Sequence, residues 1–267
     1  MRIWYQSFGD LDHMGGYPPA LRAHLARVAG PDVSVEVGGI DPPTVAAKYV
    51  RLVQTADAVA VVRSALAAQE RGVDAVVIGN IFDPGLYEAR QLLRIPVVGL
   101  GEAGLLVGKF LAGRLAVVCS SRLALPRIRE NVYRYGLTME HVAFYALETT
   151  IPAMAAAFGD VQARRDILRH VTAVSRQARS DGCELLLLGS GILNVLAHLE
   201  PWDEDLALPI LDVSAVAIHC AGALVRLYTY AGVGPSRIGT FAQPSPDILE
   251  RLAQAYNLPH LRTVCLE

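Results

Sequence analysis

Two short polar segments, each directly after an apolar run, hold the residues whose types and positions best suit chemistry. Residues 74–86, DAVVIGNIFDPGL, pass from an apolar run to Gly79 and Asn80, and residues 182–191, GCELLLLGSG, pass from another to Gly189 and Ser190. In open α/β proteins, ligands bind beyond the carboxyl ends of the strands. An amide and a hydroxyl at such positions can bind a small polar ligand. Neither is a base near neutral pH unless another group activates it.

These two segments are part of a longer series of similar segments that occurs twice along the chain, in the same order. Gly189 follows Gly79 by 110 residues, and RIWYQS at 2–7 pairs with RLAVVCSS at 114–121 at a similar spacing. In addition, IPVVGLGEAGLLVGKFLAG at 95–113 pairs with LPILDVSAVAIHCAGALV at 208–225. This order predicts a first lobe at 1–113 and a second lobe at 114–231. The segment 232–267 is expected to pack back on the first lobe with a final helix.

Strand and helix patterns alternate along the chain. Short β-branched and aliphatic runs, closed by Gly, Ser, Asp or Pro, predict strands at 2–7, 33–38, 74–79, 96–100, 114–119, 142–147, 184–189 and 209–212. Helical periodicity is clearest at 44–71, 122–135, 160–181 and 214–231. The predicted fold class is α/β, with two pseudo-symmetric lobes, each a mostly parallel sheet flanked by helices, and a ligand cleft between them.

Composition favours a compact protein without a nucleic-acid or membrane partner. The 267 residues are 52% hydrophobic with a net charge of −2, so no basic surface for nucleic acid is indicated. No uninterrupted apolar run of about 18 residues is present, and the chain opens directly into a strand pattern. We therefore expect a cytoplasmic location. The four cysteines lack C-x-x-C spacing, which indicates neither a metal site nor a redox pair.

Polar residues at the other predicted strand ends are the candidates for substrate binding. If the strand ends of the two lobes face each other, their hydroxyls, amides and backbone N–H groups converge on one cleft. The alternative interpretation is that these residues only cap helices. The candidate substrate-binding residues are Gln6, Ser7, Phe82, Asp83, Ser120, Ser121, Gly191, Asp212 and Ser214.

Few residues are candidates for proton transfer. Cys119 is the one thiol at a strand end that should border the cleft, although it can equally be an ordinary buried cysteine. Glu102 can act as a general base if it is desolvated. Asp83 has the alternative role of a turn former before a proline. His13, in the loop after the first strand, can cover the cleft or be solvated, and His219 suits a packed helix position.

These segments together resemble the aspartate/glutamate/hydantoin racemase superfamily over nearly the full length. IGNIFDPGLYEAR resembles the family's strand, cysteine and D-P-G-L run, and IPVVGLGEA is similar to its I-P-V-x-G-x-x-E segment. The D-P-G-L run and the opening RIWYQSF are most similar to the hydantoin-racemase-like branch. The resemblance implies two lobes around a cleft, no cofactor and no metal. We also expect a homo-oligomer.

The resemblance further implies a mechanism with two cysteines, one in each lobe, on opposite faces of the substrate carbon. The matching positions here are Asn80 and Ser190, which are assigned to the catalytic positions together with Glu102 and Cys119. Since neither Asn80 nor Ser190 replaces a thiol, two-thiol racemisation is not expected. The sequence predicts that these two side chains lie on facing walls of one cleft.

Three functions are compatible with this pattern. The first is a cofactor-independent, racemase-like or isomerase-like enzyme with atypical chemistry on a small carboxylate, amide or cyclic ureide. The second is a decarboxylase or lyase that passes through an enolate-like intermediate. The third is a small-molecule binding protein that keeps the cleft without catalysis. Exchange of a substrate C–H with solvent deuterium, without loss of carbon, distinguishes the first from the other two.

Overall fold

Two four-stranded sheets form the framework of the protein. The structure, a computed structural model, describes residues 1–9, 11–41, 49–199 and 206–265. The first sheet contains β1 (Arg2–Gln6), β2 (Ser34–Gly38), β3 (Ala75–Ile78) and β4 (Val97–Gly99) in the order β2-β1-β3-β4. The second contains β5 (Leu115–Cys119), β6 (Val142–Ala146), β7 (Leu185–Leu188) and β8 (Ile210–Leu211) in the order β6-β5-β7-β8. Every strand pairing in both sheets is parallel, which confirms the predicted fold class.

Ten α-helices connect the described strands and cover the sheets. They are α1 (Tyr17–Ala29), α2 (Arg51–Glu70), α3 (Leu86–Leu92), α4 (Leu100–Leu111), α5 (Leu125–Arg134), α6 (Ile151–Ala156), α7 (Val161–Ser180), α8 (Gly191–Ala197), α9 (Val213–Ala231) and α10 (Pro246–Ala255). Each predicted strand agrees with the structure to within one residue at either end. The predicted helix 44–71 begins at Arg51, and its residues 44–48 lie outside the described ranges.

Helices α4 and α9 pack against each other between the two sheets. Although α4 follows the first sheet in sequence, a Cβ on its Gly104 would lie 3.2 Å from Leu187 of β7. Helix α9 follows the second sheet, yet it contacts β3 and β4 of the first. One apolar core therefore contains residues of both lobes. The predicted boundary at residue 113 divides the chain, but it does not divide this packing, because each lobe contributes a helix to the core of the other.

The C-terminal segment packs on the first lobe. Leu249 and Ala253 of α10 join the apolar cluster that contains Val61 of α2 and Val76 of β3. The side-chain amide of Gln91 donates a hydrogen bond of 2.9 Å to the carbonyl oxygen of residue 242, just before α10. This segment therefore closes the outer face of the first sheet, on the side opposite the core that the lobes share.

A pair of neighbouring substitutions in α10 tests this packing. Leu249 is 2% exposed, whereas Ile248 beside it is 50% exposed. We expect Leu249→Ala to lower the free energy of unfolding by about 2–5 kcal/mol, because it leaves a cavity in the core. Ile248→Ala should change it by about 0.5 kcal/mol or less. Equal effects in urea unfolding would show that α10 does not pack in this way.

Candidate active site

One cleft of about 860 Å³ lies between the strand ends of the two lobes. In each sheet, successive strands are added first on one side of the first strand and then on the other. The point where this order reverses lies between β1 and β3 in the first sheet and between β5 and β7 in the second. Crevices beyond such points are the usual ligand sites of open parallel sheets. The loops after these four strands all contribute to the lining, so the two crevices merge into a single cleft.

Neutral residues line this cleft. The described lining residues contain no Asp, Glu, Lys, Arg or Cys, and their polar side chains are those of His13, Tyr17, Tyr49, Asn80, Ser120, Ser121, Thr149, Thr150 and Ser190. The apolar part of the lining includes Phe8, Met14, Phe82, Leu123 and Ile151. Within the described ranges, no three His, Cys, Asp or Glu side chains are grouped so as to hold a metal ion. The described part of the cleft therefore presents hydroxyl, amide, imidazole and apolar groups to a ligand.

Asn80 and Ser190 both line the cleft, one from the loop of each lobe. The two loops approach closely, since a Cβ on Gly191 would lie 3.3 Å from the carbonyl oxygen of Gly79. Gly79 itself has no room for a side chain, because its Cβ would lie 2.3 Å from the ring of Tyr5. Glycines at these points thus allow the ends of β3 and β7 to meet. Asn80 and Ser190 thus line the same cleft, and their facing each other across it stays a prediction.

Local hydrogen bonds leave the cleft rich in donors. The Ser190 hydroxyl accepts the N–H of Leu193 at 3.4 Å, and the Ser121 hydroxyl accepts the N–H of Leu123 at 3.2 Å. The amide oxygen of Asn80 accepts the N–H of Phe82 at 2.9 Å. These side chains therefore do cap local turns, as the alternative interpretation stated. Because each uses an oxygen as acceptor, its O–H or NH₂ hydrogens remain to donate to a ligand.

Backbone donors add to this set. The N–H groups of Ser120, Ser121, Ser190 and Gly191 donate to no acceptor among the described residues. All four residues line the cleft. Donors that are already oriented by strand ends and turns can stabilise negative charge that develops on a carbonyl oxygen. These four residues therefore bring oriented N–H donors to the cleft.

Buried polar side chains behind the loop 79–83 hold it in place. The Asp83 carboxylate accepts N–H hydrogen bonds from Gly101 at 2.9 Å and Glu102 at 2.7 Å, and the hydroxyl of Tyr135 donates to it at 2.6 Å. Asp83 has a positive φ of 49°. From the second lobe, the Asn131 amide donates to the carbonyl oxygen of Phe82 at 3.1 Å. Asp83 thus positions the loop that carries Asn80, but it does not line the cleft.

The two other predicted catalytic residues do not line the cleft either. Glu102 forms an ion pair with Arg90, with one oxygen 2.9 Å from the guanidinium, so the predicted role as a free base is not supported. Cys119 is completely buried in the core, where burial raises the pKa of its thiol to about 12. A thiol in that state is protonated near neutral pH and is a poor base.

Five predicted binding residues lie outside the lining of the cleft. The Gln6 amide donates to the carbonyl oxygens of Ser7 and Gly39 at 3.0 and 2.9 Å. Asp212 caps α9 and contacts His24 at 3.0 Å, and the Asn194 amide donates to its carboxylate at 2.9 Å. Despite burial, the contact with His24 and the hydrogen bond from Asn194 keep the Asp212 pKa low. The residues outside the lining are thus Gln6, Ser7, Asp83, Asp212 and Ser214, together with Glu102 and Cys119.

The segment after β6 supplies a wall that sequence reasoning missed. Thr149, Thr150 and Ile151 line the cleft, and the Thr150 hydroxyl accepts the N–H of Ala153 at 3.2 Å. The run Thr150-Ile151-Pro152 is a helix-start signal, with a capping threonine and a proline in the first turn. Since β6 pairs in parallel with β5, its end reaches the same edge of the sheet. That combination was sufficient to predict this wall.

The buried carboxylate of Asp83 and its hydrogen bond from Tyr135 should make the free energy of unfolding depend on pH. Burial raises the pKa of Asp83 to about 7, although the hydrogen bond from Tyr135 lowers it. The unfolded value is about 4. The protonated Asp83 side chain therefore contributes fully to the free energy of unfolding below about pH 4, and this contribution is lost as the pH rises through about 7. We expect Asp83→Asn to flatten the dependence of unfolding free energy on pH over this range, measured by urea titration.

Tyr135→Phe should move the midpoint of this dependence to higher pH, because it removes a donor that favours the charged carboxylate. The exposed Tyr133 lies in the last turn of α5, two residues before Tyr135, and makes Tyr133→Phe the matched control, with no expected change. Identical pH profiles for the unmodified protein and Asp83→Asn would contradict the assignment.

Comparison with known proteins identifies the family to which this chain belongs. A sequence model of the Asp/Glu/hydantoin racemase family matches residues 18–221. The chain is 28% identical over 177 residues to a hydantoin racemase of Rhizobium meliloti, covering 66% of this chain and 68% of that one. It is 30% identical over 181 residues to a hydantoin racemase of Pseudomonas sp. (strain NS671), covering 66% of each chain.

Solved structures show the same fold. The allantoin racemase of Klebsiella pneumoniae superposes with a TM-score of 0.72 at 24% identity, covering 92% of this chain and 94% of that one. The allantoin racemase of Pseudomonas fluorescens gives the same TM-score of 0.72 at 23% identity, covering 92% of this chain and 98% of that one. With the family match over most of its length, the chain belongs to the Asp/Glu/hydantoin racemase family.

Proposed function

We propose that the protein is an enzyme that binds a small uncharged amide or cyclic ureide in the cleft and acts on the carbon next to a carbonyl group. The chemistry is racemase-like or isomerase-like, needs no cofactor and does not use a pair of thiols. One observation carries this proposal: the described lining of the cleft is neutral and rich in hydrogen-bond donors, with Asn80 and Ser190 at the ends of the two central strands.

The neutral lining supports an uncharged substrate. A carboxylate transferred from water into a cleft without a cationic partner loses hydration that the protein does not replace with an ion pair. Carbonyl groups of an amide or ureide, in contrast, can accept hydrogen bonds from the O–H and N–H donors of the cleft. A cleft of about 860 Å³ is within the usual size range for small-molecule sites and leaves room for a ring with a substituent.

The donors also support chemistry through an enolate. When a proton leaves the carbon beside a carbonyl, negative charge develops on the carbonyl oxygen. The Ser190 hydroxyl and the N–H groups of Ser190 and Gly191 are fixed in the loop before α8 and are available to stabilise that oxygen. In this proposal Ser190 and Asn80 bind the substrate and its enolate, and neither accepts the proton.

His13 is the proposed acid–base group. Imidazole is the side chain best suited to proton transfer near neutral pH, and His13 is the imidazole among the described lining residues. It lies between β1 and α1, on the first-lobe side of the cleft. A single base that takes and returns a proton at one face exchanges the substrate hydrogen with solvent and retains the configuration, whereas inversion requires that the enolate be protonated on its other face.

The relatives named hydantoin racemases support a cyclic ureide in particular and supply the probe. We expect 5-substituted hydantoins in D₂O to lose their C5–H proton NMR signal in the presence of the protein, faster than in buffer and with the carbon skeleton retained. Release of carbon dioxide from a 2-substituted malonate, with no exchange of the hydantoin, would replace the proposal with a decarboxylase. Thermal stabilisation by the hydantoin without exchange would replace it with a binding protein.

Two variants test the assigned roles in that exchange assay. His13→Asn should slow exchange by about 10²-fold or more, as expected for loss of a general base. Ser190→Ala should slow it by about 10-fold or more, because one donor to the enolate is lost. The controls are His141→Asn and Ser236→Ala, whose residues lie outside the cleft lining. Full activity of His13→Asn would show that another group is the base.

A further inference from the structure

A buried amide lies behind the second-lobe wall of the cleft, much as Asp83 lies behind the first-lobe wall. Asn194 of α8 is completely buried and follows Ser190 by four residues. Its backbone N–H donates a hydrogen bond of 2.9 Å to the carbonyl oxygen of Ser190. Asn194 is not among the described lining residues of the cleft. Any effect of its side chain on a bound ligand must therefore act through Ser190 and its neighbours.

Every polar atom of the Asn194 side chain has a partner at the start of α9. The amide nitrogen donates to the Asp212 carboxylate at 2.9 Å and to the Ser214 hydroxyl at 3.2 Å. The amide oxygen accepts the N–H of Val213 at 3.3 Å. The opposite orientation of the amide would turn its oxygen towards a carboxylate and its NH₂ group towards an N–H, so these partners fix the orientation. The side chain therefore links α8 to the first turn of α9.

This link has a counterpart in the first lobe. The Asp83 carboxylate accepts the N–H of Gly101, 18 residues further along the chain, in the first turn of α4. Asn194 accepts the N–H of Val213, 19 residues further along, at the first residue of α9. In each lobe, a buried side chain shortly after the strand end thus accepts a backbone donor from one of the two helices that pack together between the sheets.

The two side chains differ in type because their neighbours differ. Asp83 faces three donors, which are two backbone N–H groups and the Tyr135 hydroxyl. Asn194 faces one donor together with the Asp212 carboxylate and the Ser214 hydroxyl. A second carboxylate at this position would lie against Asp212 with the same charge. An amide, which both donates and accepts, satisfies all of these partners.

Helix α8 depends on contacts of this kind. It has seven residues, Gly191–Ala197, and helices shorter than about 12–15 residues are marginal in water on their own. The Ser190 hydroxyl caps the helix by accepting the N–H of Leu193 at 3.4 Å. The hydroxyl of Ser190 and the N–H groups at the start of α8 therefore keep their directions only while α8 keeps its place. Donors stabilise a developing charge when they are already aligned with it.

We propose that Asn194 is a positioning residue, which fixes α8 to α9 and thereby orients the donors of Ser190 and Gly191 towards the cleft. The inference rests on the proposed function, because these are the donors assigned to the enolate oxygen. Asn194 itself contacts neither the substrate nor the enolate. Through its side chain, the packing of α9 between the sheets determines the position of the second-lobe wall of the cleft.

Hydrogen exchange of backbone amides, followed by mass spectrometry on the full chain without ligand, tests the positioning. Asn194→Ala should speed exchange in α8 by about 10-fold, since the hydrogen bonds that tie this helix to α9 are lost. The matched control is Ser175→Ala. Ser175 is also completely buried, but its hydroxyl donates to the carbonyl oxygen of Thr172 within α7, at 2.7 Å. This control should leave exchange in α8 unchanged.

The C5–H exchange assay with a 5-substituted hydantoin tests whether Asn194 acts through Ser190. Asn194→Ala should lower kcat by about 10-fold or more and raise KM by less, because aligned donors matter most when charge develops on the carbonyl oxygen. Ser190→Ala should slow exchange by a smaller factor in the Asn194→Ala protein than in the unmodified protein, since the hydroxyl is already displaced there. Ser175→Ala should leave kcat unchanged.

Unchanged amide exchange in α8 of Asn194→Ala would overturn the inference, and so would an undiminished effect of Ser190→Ala in that background. If the unmodified protein exchanges no hydantoin, the proposed function fails, and the α8 amides alone decide whether Asn194 fixes the helix. Far-UV circular dichroism and thermal midpoints show which variants are folded. Should Asn194→Ala not fold, Ser214→Ala removes one acceptor of the amide and should speed exchange in α8 by a smaller factor. No change in α8 of that variant would equally overturn the inference.

Discussion

The close packing of α4 and α9 between the two sheets is the constraint on which the rest of the structure depends. Each helix follows one lobe in sequence and packs on the other, so neither sheet has a complete core alone. Gly104 and Gly108 make this packing possible, since a Cβ at either would lie about 3 Å from Val213 or Leu115. This shared layer fixes the relative position of the lobes and brings the ends of β3 and β7 together.

The character of the cleft follows from that arrangement. The charged groups near the loops are used for structure: Asp83 holds the loop after β3, Glu102 pairs with Arg90, and Asp212 caps α9. The groups that remain facing the cleft are hydroxyls, an amide, an imidazole and aromatic rings. This described lining supports the proposed neutral carbonyl substrate and the proposed chemistry without two opposed thiols.

The sequence was sufficient for the fold and for about half of the site. Strands that are buried on both faces have a strong apolar signal, and the repeated order placed Asn80 and Ser190 at equivalent positions of the two lobes. The side chains at strand ends were harder to assign. Successive residues there point in opposite directions, so Ser120 reaches the cleft while the neighbouring Cys119 enters the core. Whether a carboxylate such as Glu102 is free depends on Arg90, a partner that no local pattern identifies.

We propose above all that a neutral carbonyl ligand binds between the two lobes at Asn80 and Ser190. The most direct measurement is a crystal structure of the protein with a 5-substituted hydantoin. We expect the ring between the loops after β3 and β7, with its carbonyl oxygens within hydrogen-bond distance of Ser190 or the N–H of Gly191. A hydantoin bound outside this cleft, or bound in it with its carbonyl oxygens facing only apolar side chains, would contradict the proposed binding mode.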